Sequence, residues 1–259
     1  TVVVNHDTNR VIWCYDGHGK IVLLSFFRRL TEEQRRSIKV VSADGARWIA
    51  DAVEMMCPNA ERVMDPFHVV SWMRDILDTI RKQAYSEARA LEKTASKRKI
   101  GRPRKGEEKP KSKAEAIKGS RFSLLKNPED LTENQAITLE KIARENKQLY
   151  RAYLLKERLR DVFKAKDKTC AQSLLESWLK SACHSGSALI RELSKKIRRH
   201  KEAILRAVEY GVSNARIEAI NNKIKLTIRM AYGFRNIDNL IALVMLRCSN
   251  LSIQLPGRD

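Results

Sequence analysis

Strand-like patterns are confined to the first 65 residues of this chain, and almost everything after Val69 repeats its apolar residues at helical spacing. Such a division calls for a small sheet near the N-terminus with helices around it, so the class is α/β rather than all-helical or all-β. The string TVVVNHDTNRVIWCY supplies two β-rich runs, 1–4 and 11–15, joined by a polar turn over 5–10, which is a hairpin. His6 and Asp7 fall at its tip, where turn chemistry alone accounts for an aspartate. After Gly17 and Gly19, residues 21–30 are predicted helical, with Leu23, Leu24, Phe26, Phe27 and Leu30 on the packing side. A compact apolar strand over 38–43 then ends on Asp44 and Gly45, ahead of a helical pattern carrying Trp48, Ile49, Val53 and Met56. The device repeats with a short strand to Met64, then Asp65, then Pro66 at the first helical position. Asp44 and Asp65 each have two readings. Either caps the helix that follows it, and either also stands at the carboxyl end of a strand, where open α/β sheets place their ligands.

The helical stretch from Val69 to about Glu92 gives way to SKRKIGRPRKGEEKPKSKAEAIK, residues 96–118, which has almost no large apolar side chain and is predicted to be an exposed arm. Within it, Gly101, Arg102, Pro103 and Arg104 resemble the core of an AT-hook, whose arginines lie in a narrow minor groove. A sequence-independent phosphate tether explains the same residues. Further helices are predicted over 131–165, 174–183 and 189–211, the last ending at Gly211. Trp13, Trp48, Trp72 and Trp178 are read as core aromatics.

Charge narrows the partner. The 51 Lys and Arg residues outnumber 31 Asp and Glu, a formal net charge of +20, which points to a polyanion, and nucleic acid is the first candidate. A membrane is not expected, because no run of about eighteen apolar residues occurs. Five cysteines, Cys14, Cys57, Cys170, Cys183 and Cys248, form no CxxC pair, so reduced thiols in a cytoplasmic setting are predicted rather than a zinc knuckle or disulfide framework. No Gly-rich phosphate loop is present, which argues against an ATP-driven enzyme.

The stretch SNARIEAINNKIKLTIRMAYGFRN, residues 213–236, concentrates the remaining chemistry. Ile217, Ile220, Ile224 and Ile228 recur at helical spacing as a buried stripe. Glu218, Asn222, Lys225 and Arg229 follow one another at four, three and four residues, so one carboxylate shares a helix face with an amide and two cations. Such a row is also what an ordinary solvated helix face looks like. Its chemical alternative needs a second acid. Two metal ions about four ångströms apart activate a water or 3′-hydroxyl for attack on a phosphodiester, and hard cations take carboxylates from elements distant in sequence. Asp44 and Glu218, with Lys225 and Arg229 beside the latter, are of the right kinds.

The strings VVSADGARWI, ERVMDPFHVV, RFSLLKNPEDLT and SNARIEAINNKIKLTIRMAYGFRN resemble those of bacterial insertion-sequence transposases of the ISL-three group, which are DDE enzymes. The similarity runs over essentially the whole chain. It implies a ribonuclease-H-like core interrupted by a helical insertion, divided as 1–90 for the first part of the core, 91–212 for the insertion with its basic arm, and 213–259 for the C-terminal helices carrying the Glu. It implies Asp44 as the second acid and Glu218 as the third, both holding Mg2+ as two ions, with Mn2+ as a substitute. Lys225 is similar to the lysine that related enzymes direct at transposon-end phosphates. Asn222, Arg229, Arg102 and Arg104 complete the expected DNA contacts. Asp65 is expected in a supporting position, and His68 matches a family His but suits a structural role at a helix start. The family's first acid lies on a strand before the hairpin, so this chain is expected to lack it, to be weakly active or inactive alone, and to self-associate on DNA in the bacterial nucleoid when complete. Two rival readings stand beside the enzyme: a noncatalytic, helix-rich DNA-binding remnant of a mobile element, and a ribonuclease-H-like nuclease that cuts without joining.

Overall fold

The structure, a computed structural model, describes residues 1–43, 45–95, 112–211 and 215–251. In chain order its elements are β1 (Val2–Asn5), β2 (Arg10–Cys14), α1 (Lys20–Arg29), α2 (Glu32–Ser37), β3 (Val40–Ala43), α3 (Arg47–Met56), β4 (Glu61–Met64), α4 (Pro66–Ala95), α5 (Lys113–Gly119), α6 (Arg121–Leu125), a 3-10 turn (Pro128–Asp130), α7 (Glu133–Glu145), α8 (Lys147–Phe163), α9 (Lys168–Cys183), α10 (Ala188–Arg199), α11 (Lys201–Glu209), α12 (Ala215–Met230) and α13 (Ile237–Cys248). The fold is mixed α/β, mostly helical, with small sheets, and it separates into two compact units: residues 1–68 with 202–259, and residues 69–201.

In the first unit, β1 and β2 pair antiparallel, with Val3 opposite Trp13 and a register shift before Val4, which faces Val11. The turn between them is closed by Asn5, whose Oδ1 accepts the N–H groups of Asp7 at 2.7 Å and Thr8 at 3.2 Å. Asp7 is exposed at this tip. Strands β3 and β4 form a separate parallel pair in which Val40 faces Glu61 and Ala43 faces Met64. Parallel pairing requires a crossover, and α3 provides it. Trp13, Phe26, Phe27, Ala52, Val53 and Cys57 form one buried cluster, against which Val3 of β1 and Val41 of β3 also pack, so both sheets share the core made by α1 and α3. A second cluster joins Val11 to Ile220 and Cys248, with Val2, Val4, Ile224 and Met245 around it. Those contacts fasten α12 and α13 to the hairpin. Glu61 at the start of β4 receives Arg206 Nε at 3.1 Å and the Tyr210 hydroxyl at 3.1 Å, tying α11 to the parallel pair. All five cysteines are free thiols, and burial pushes those of Cys14 and Cys57 above their ordinary value.

The second unit is helical among its described residues. Its core is built on the α8–α9 hairpin, where Leu149, Leu155, Leu159, Val162, Leu175 and Trp178 are buried. Trp178 is fully buried and its indole N–H donates to Leu155 O at 2.8 Å, so the largest core side chain leaves no polar atom unpaired. Trp72 is half-buried, with Lys196 Nζ 3.4 Å above its ring. Two expectations change here. The periodicity over 131–165 and over 189–211 predicts a single helix in each, yet each breaks in two. Asn146, at φ −137°, leaves the helix and its side chain accepts from Leu149 N at 3.0 Å, capping a new start. His200, at φ −103° and ψ 13°, closes α10 by donating back to Ile197 at 3.1 Å. Both breaks leave the apolar stripe in phase, so spacing alone does not reveal them. The basic arm also ends earlier than expected: from Lys113 the chain is helical, with a capping box between Ser112 and Glu115 and with Ala114 and Ile117 buried.

An acid-sensitive tie holds the 3-10 turn to α8. Arg160 donates to Glu129 at 2.6 Å and to Glu157 at 2.6 Å, and the Arg160 bond holds the Glu129 carboxyl down to about 2. A carboxyl held below its unfolded value of 4.5 contributes stability that is present above that value and fades as pH falls through about 2. The urea midpoint of the wild-type chain is therefore expected to drop between about pH 5 and about pH 2, and Glu129→Gln is expected to flatten part of that slope. Identical slopes in both proteins would remove the tie from the acid response.

Among the described residues no helix is long and apolar enough to cross a membrane.

Candidate active site

The residues of greatest chemical interest sit on α12, whose fold follows from its sequence. Ile220 is buried, Ile217, Ile224 and Ile228 are half-buried, and Thr227 is buried in line with them. The expected stripe is therefore real, with Thr227 as an added member. Thr227 Oγ1 donates to Lys223 O at 2.9 Å and accepts from Arg247 Nη1 at 2.7 Å, which pins α13 alongside α12. The helix ends in a left-handed turn: Tyr232 at φ 52° and Gly233 at φ 98°, with Gly233 N donating to Ile228 O at 2.9 Å. A glycine at that φ is free of the side-chain strain any other residue would carry. Asn236 then caps α13 by accepting from Asp238 N at 2.8 Å. The string that carries the resemblance thus encodes helix, turn and cap in succession.

On the other side of α12, Glu218, Asn222, Lys225 and Arg229 are all exposed. Glu218 lies in the first turn, where the helix dipole favours a carboxylate, and it makes no ion pair among the described residues. The row spans an acid near the start and bases toward the end, so a bound phosphate chain would meet positive charge beyond the carboxylate.

Asp44 lies outside the described residues, as do Arg102 and Arg104. What is described around Asp44 is the strand end before it. Ala43 O accepts from Asp65 N at 3.4 Å, so the C-terminal ends of β3 and β4 are side by side. Asp65 is only 3% exposed; its Oδ1 accepts from Phe67 N at 3.1 Å and its Oδ2 stands 3.9 Å from His68 Nδ1. Asp65 therefore caps α4, the capping reading of the two the sequence allows. Among the described residues no cluster of three or more His, Cys, Asp or Glu side chains is arranged to hold a metal. Sequence reasoning missed Arg247 and its bond to Thr227. The available signal was Thr227 itself, seven residues after Ile220 and hence on the inward face.

Comparison with known proteins gives the same direction. A family profile described as "Transposase", of the ISL3 DDE type, matches residues 1–244. The chain is 45% identical over 260 residues to the transposase for insertion sequence element IS1557 of Mycobacterium tuberculosis strain H37Rv, covering 100% of this chain and 58% of that protein. It is 27% identical over 237 residues to the transposase for insertion sequence element IS1001 of Bordetella parapertussis, covering 91% of this chain and 54% of that protein. The chain thus spans little more than half the length of the curated relatives it matches. No solved structure matches it.

Proposed function

Because the chain belongs to the ISL3 transposase family, we propose that it is the catalytic region of a DDE transposase that cuts one strand at each end of an insertion sequence and joins the freed 3′-hydroxyl to target DNA. The observation that carries this reading is the family match across the α12 string, in which Glu218 stands exposed, with no ion pair among the described residues, on a face shared with Asn222, Lys225 and Arg229. The fold in this reading is a ribonuclease-H-like core interrupted by the helical insertion. The parallel β3–β4 pair supports it, because a strand end carrying Asp44 beside a second strand end is the setting in which α/β folds gather ligands.

A carboxylate suits a hard divalent cation, so Asp44 and the exposed Glu218 are the residues that would hold Mg2+ or Mn2+. Bound there, the two ions would lower the pKa of an attacking water or hydroxyl and neutralise the leaving oxygen. Lys225 and Arg229 fix the phosphates of the transposon end, Arg229 with a planar fork and Lys225 as a point charge. Asn222, between the acid and the bases, donates to a sugar or phosphate oxygen and sets the register of the strand. Asp65 fixes the start of α4 through Phe67 N and keeps the β4 end in place beside Ala43. Each chemical step exchanges one P–O bond for another: water attacks and a 3′-hydroxyl leaves, then that hydroxyl attacks target DNA and a second 3′-hydroxyl leaves. The complete protein acts as a homo-oligomer that brings two ends together, in the bacterial cytoplasm on nucleoid DNA.

The test uses the full-length protein with a labelled duplex carrying the element's end and a supercoiled target plasmid. Magnesium is expected to give both nicked end and a covalent end–plasmid product, and chelation is expected to remove both. Nicking without the joined product would favour the nuclease reading; binding with neither product, while metal is present, would favour the noncatalytic remnant.

A further inference from the structure

The helical unit contains a basic cleft that the catalytic chemistry does not use. It lies where the start of α8 meets the turn between α9 and α10, has a volume of about 360 Å³, and is lined by Lys147, Gln148, Arg151, Ser185 and Gly186. That is large enough to admit a phosphate group. Antiparallel packing of α8 on α9 explains why residues almost forty positions apart in sequence share it.

Its lining is selective in kind. Lys147 and Arg151 are one helical turn apart, and neither makes an ion pair among the described residues, whereas Arg160 farther along α8 and Lys164 just after it are paired with Glu129. No carboxylate lines the cleft. Asn146 satisfies Leu149 N, which leaves the N–H groups of Lys147 and Gln148 at the positive end of a 17-residue helix. From the other wall, Ser185 is 5% exposed, accepts from Ser187 N at 3.4 Å, and has its hydroxyl hydrogen left to donate. Gly186 holds φ at 78° with nothing within 4 Å of where a Cβ would stand, so the mouth stays open. No aromatic side chain lines the cleft, so it lacks the ring platforms on which single-strand binders stack bases. Cations, helix N–H groups and a buried hydroxyl together suit a tetrahedral oxyanion.

We propose that this cleft takes a backbone phosphate of double-stranded DNA, making the helical insertion a second DNA-gripping surface besides α12; this rests on DNA being the partner. The site reads no sequence. It anchors.

The experiment is fluorescence anisotropy of the 259-residue chain with a labelled duplex of about 30 base pairs, repeated over a salt series. Lys147→Gln/Arg151→Gln is expected to bind about ten-fold more weakly at moderate salt and to reduce the slope of log K against log salt by about one to two. Gln148→Glu places a carboxylate in the cleft without removing a base, and is expected to weaken binding as well. Lys141→Gln/Lys195→Gln removes equal charge at exposed positions paired to Glu145 and Glu192, and serves as the control. A slope unchanged in the first variant, or lowered no more than in the control, overturns the cleft while leaving DNA binding intact. Absence of binding by the wild type overturns the DNA partner and the cleft together. Should the double variant fail to fold, Gln148→Glu decides alone: wild-type affinity in that variant sinks the site.

Discussion

In the full-length protein, Glu218→Gln abolishes strand cleavage and leaves DNA binding at the wild-type level. The two side chains are the same size and both favour helix, and Glu218 is exposed without a partner among the described residues, so the substitution costs at most about 0.5 kcal/mol through the lost interaction with the helix dipole. What changes is charge. A neutral amide is a poor ligand for a hard cation, and losing several kcal/mol of transition-state stabilisation at about 1.4 kcal/mol per decade lowers the rate by about a thousand-fold or more. Affinity for the end duplex rests on Lys225, Arg229 and the other cations, which the variant keeps. Cleavage within ten-fold of wild type would remove Glu218 from the chemistry, whereas loss of binding together with cleavage would assign it to the fold.

The second large effect is on stability, at Lys156. This lysine is 1% exposed, and its ammonium donates to Leu124 O at 2.8 Å and Lys126 O at 2.7 Å, carbonyls at the end of α6 that have no helical partner. It also pairs with the Glu157 carboxylate and lies 4.8 Å from the centre of the Tyr153 ring. Desolvation pushes the Lys156 pKa below that of an ordinary lysine even though Glu157 opposes the shift. Lys156→Ala removes the donor, strands two carbonyls and opens a cavity, so a loss of about 3–5 kcal/mol is expected. A urea titration followed by circular dichroism measures it. A loss under about 1 kcal/mol would mean that water replaces the ammonium at no cost and that the α6–α8 connection is held by apolar packing alone.

How much of this was legible in the sequence depends on whether the controlling force is local. The hairpin, the strand before Asp44, the Pro66 helix start and the α12 stripe are local patterns, and each appears within two residues of its expected place. Helix α2 carries no apolar periodicity in its six residues, and its only mark is the capping box formed by Thr31 and Gln34. The breaks at Asn146 and His200 leave periodicity intact, and a stripe cannot show where it is cut. The division into two separate strand pairs and the Thr227–Arg247 bond depend on contacts between distant segments, which spacing does not encode. At the candidate site, the composition of the α12 face was readable residue by residue. Whether Asp44 and Glu218 share a site was not, because 173 residues lie between them and spacing says nothing about contacts over that separation.

The discontinuity of the first unit bears on when the proposed site can form. Val11 packs against Ile220 and Cys248, so the unit cannot close until ribosomes have delivered its last helices, long after the intervening helices with their local contacts have begun to fold. Under the proposed chemistry, a nascent or prematurely terminated polypeptide that ends within the insertion carries Asp44 but not Glu218, and so lacks part of the proposed metal site. Order of synthesis acts here as a safety catch.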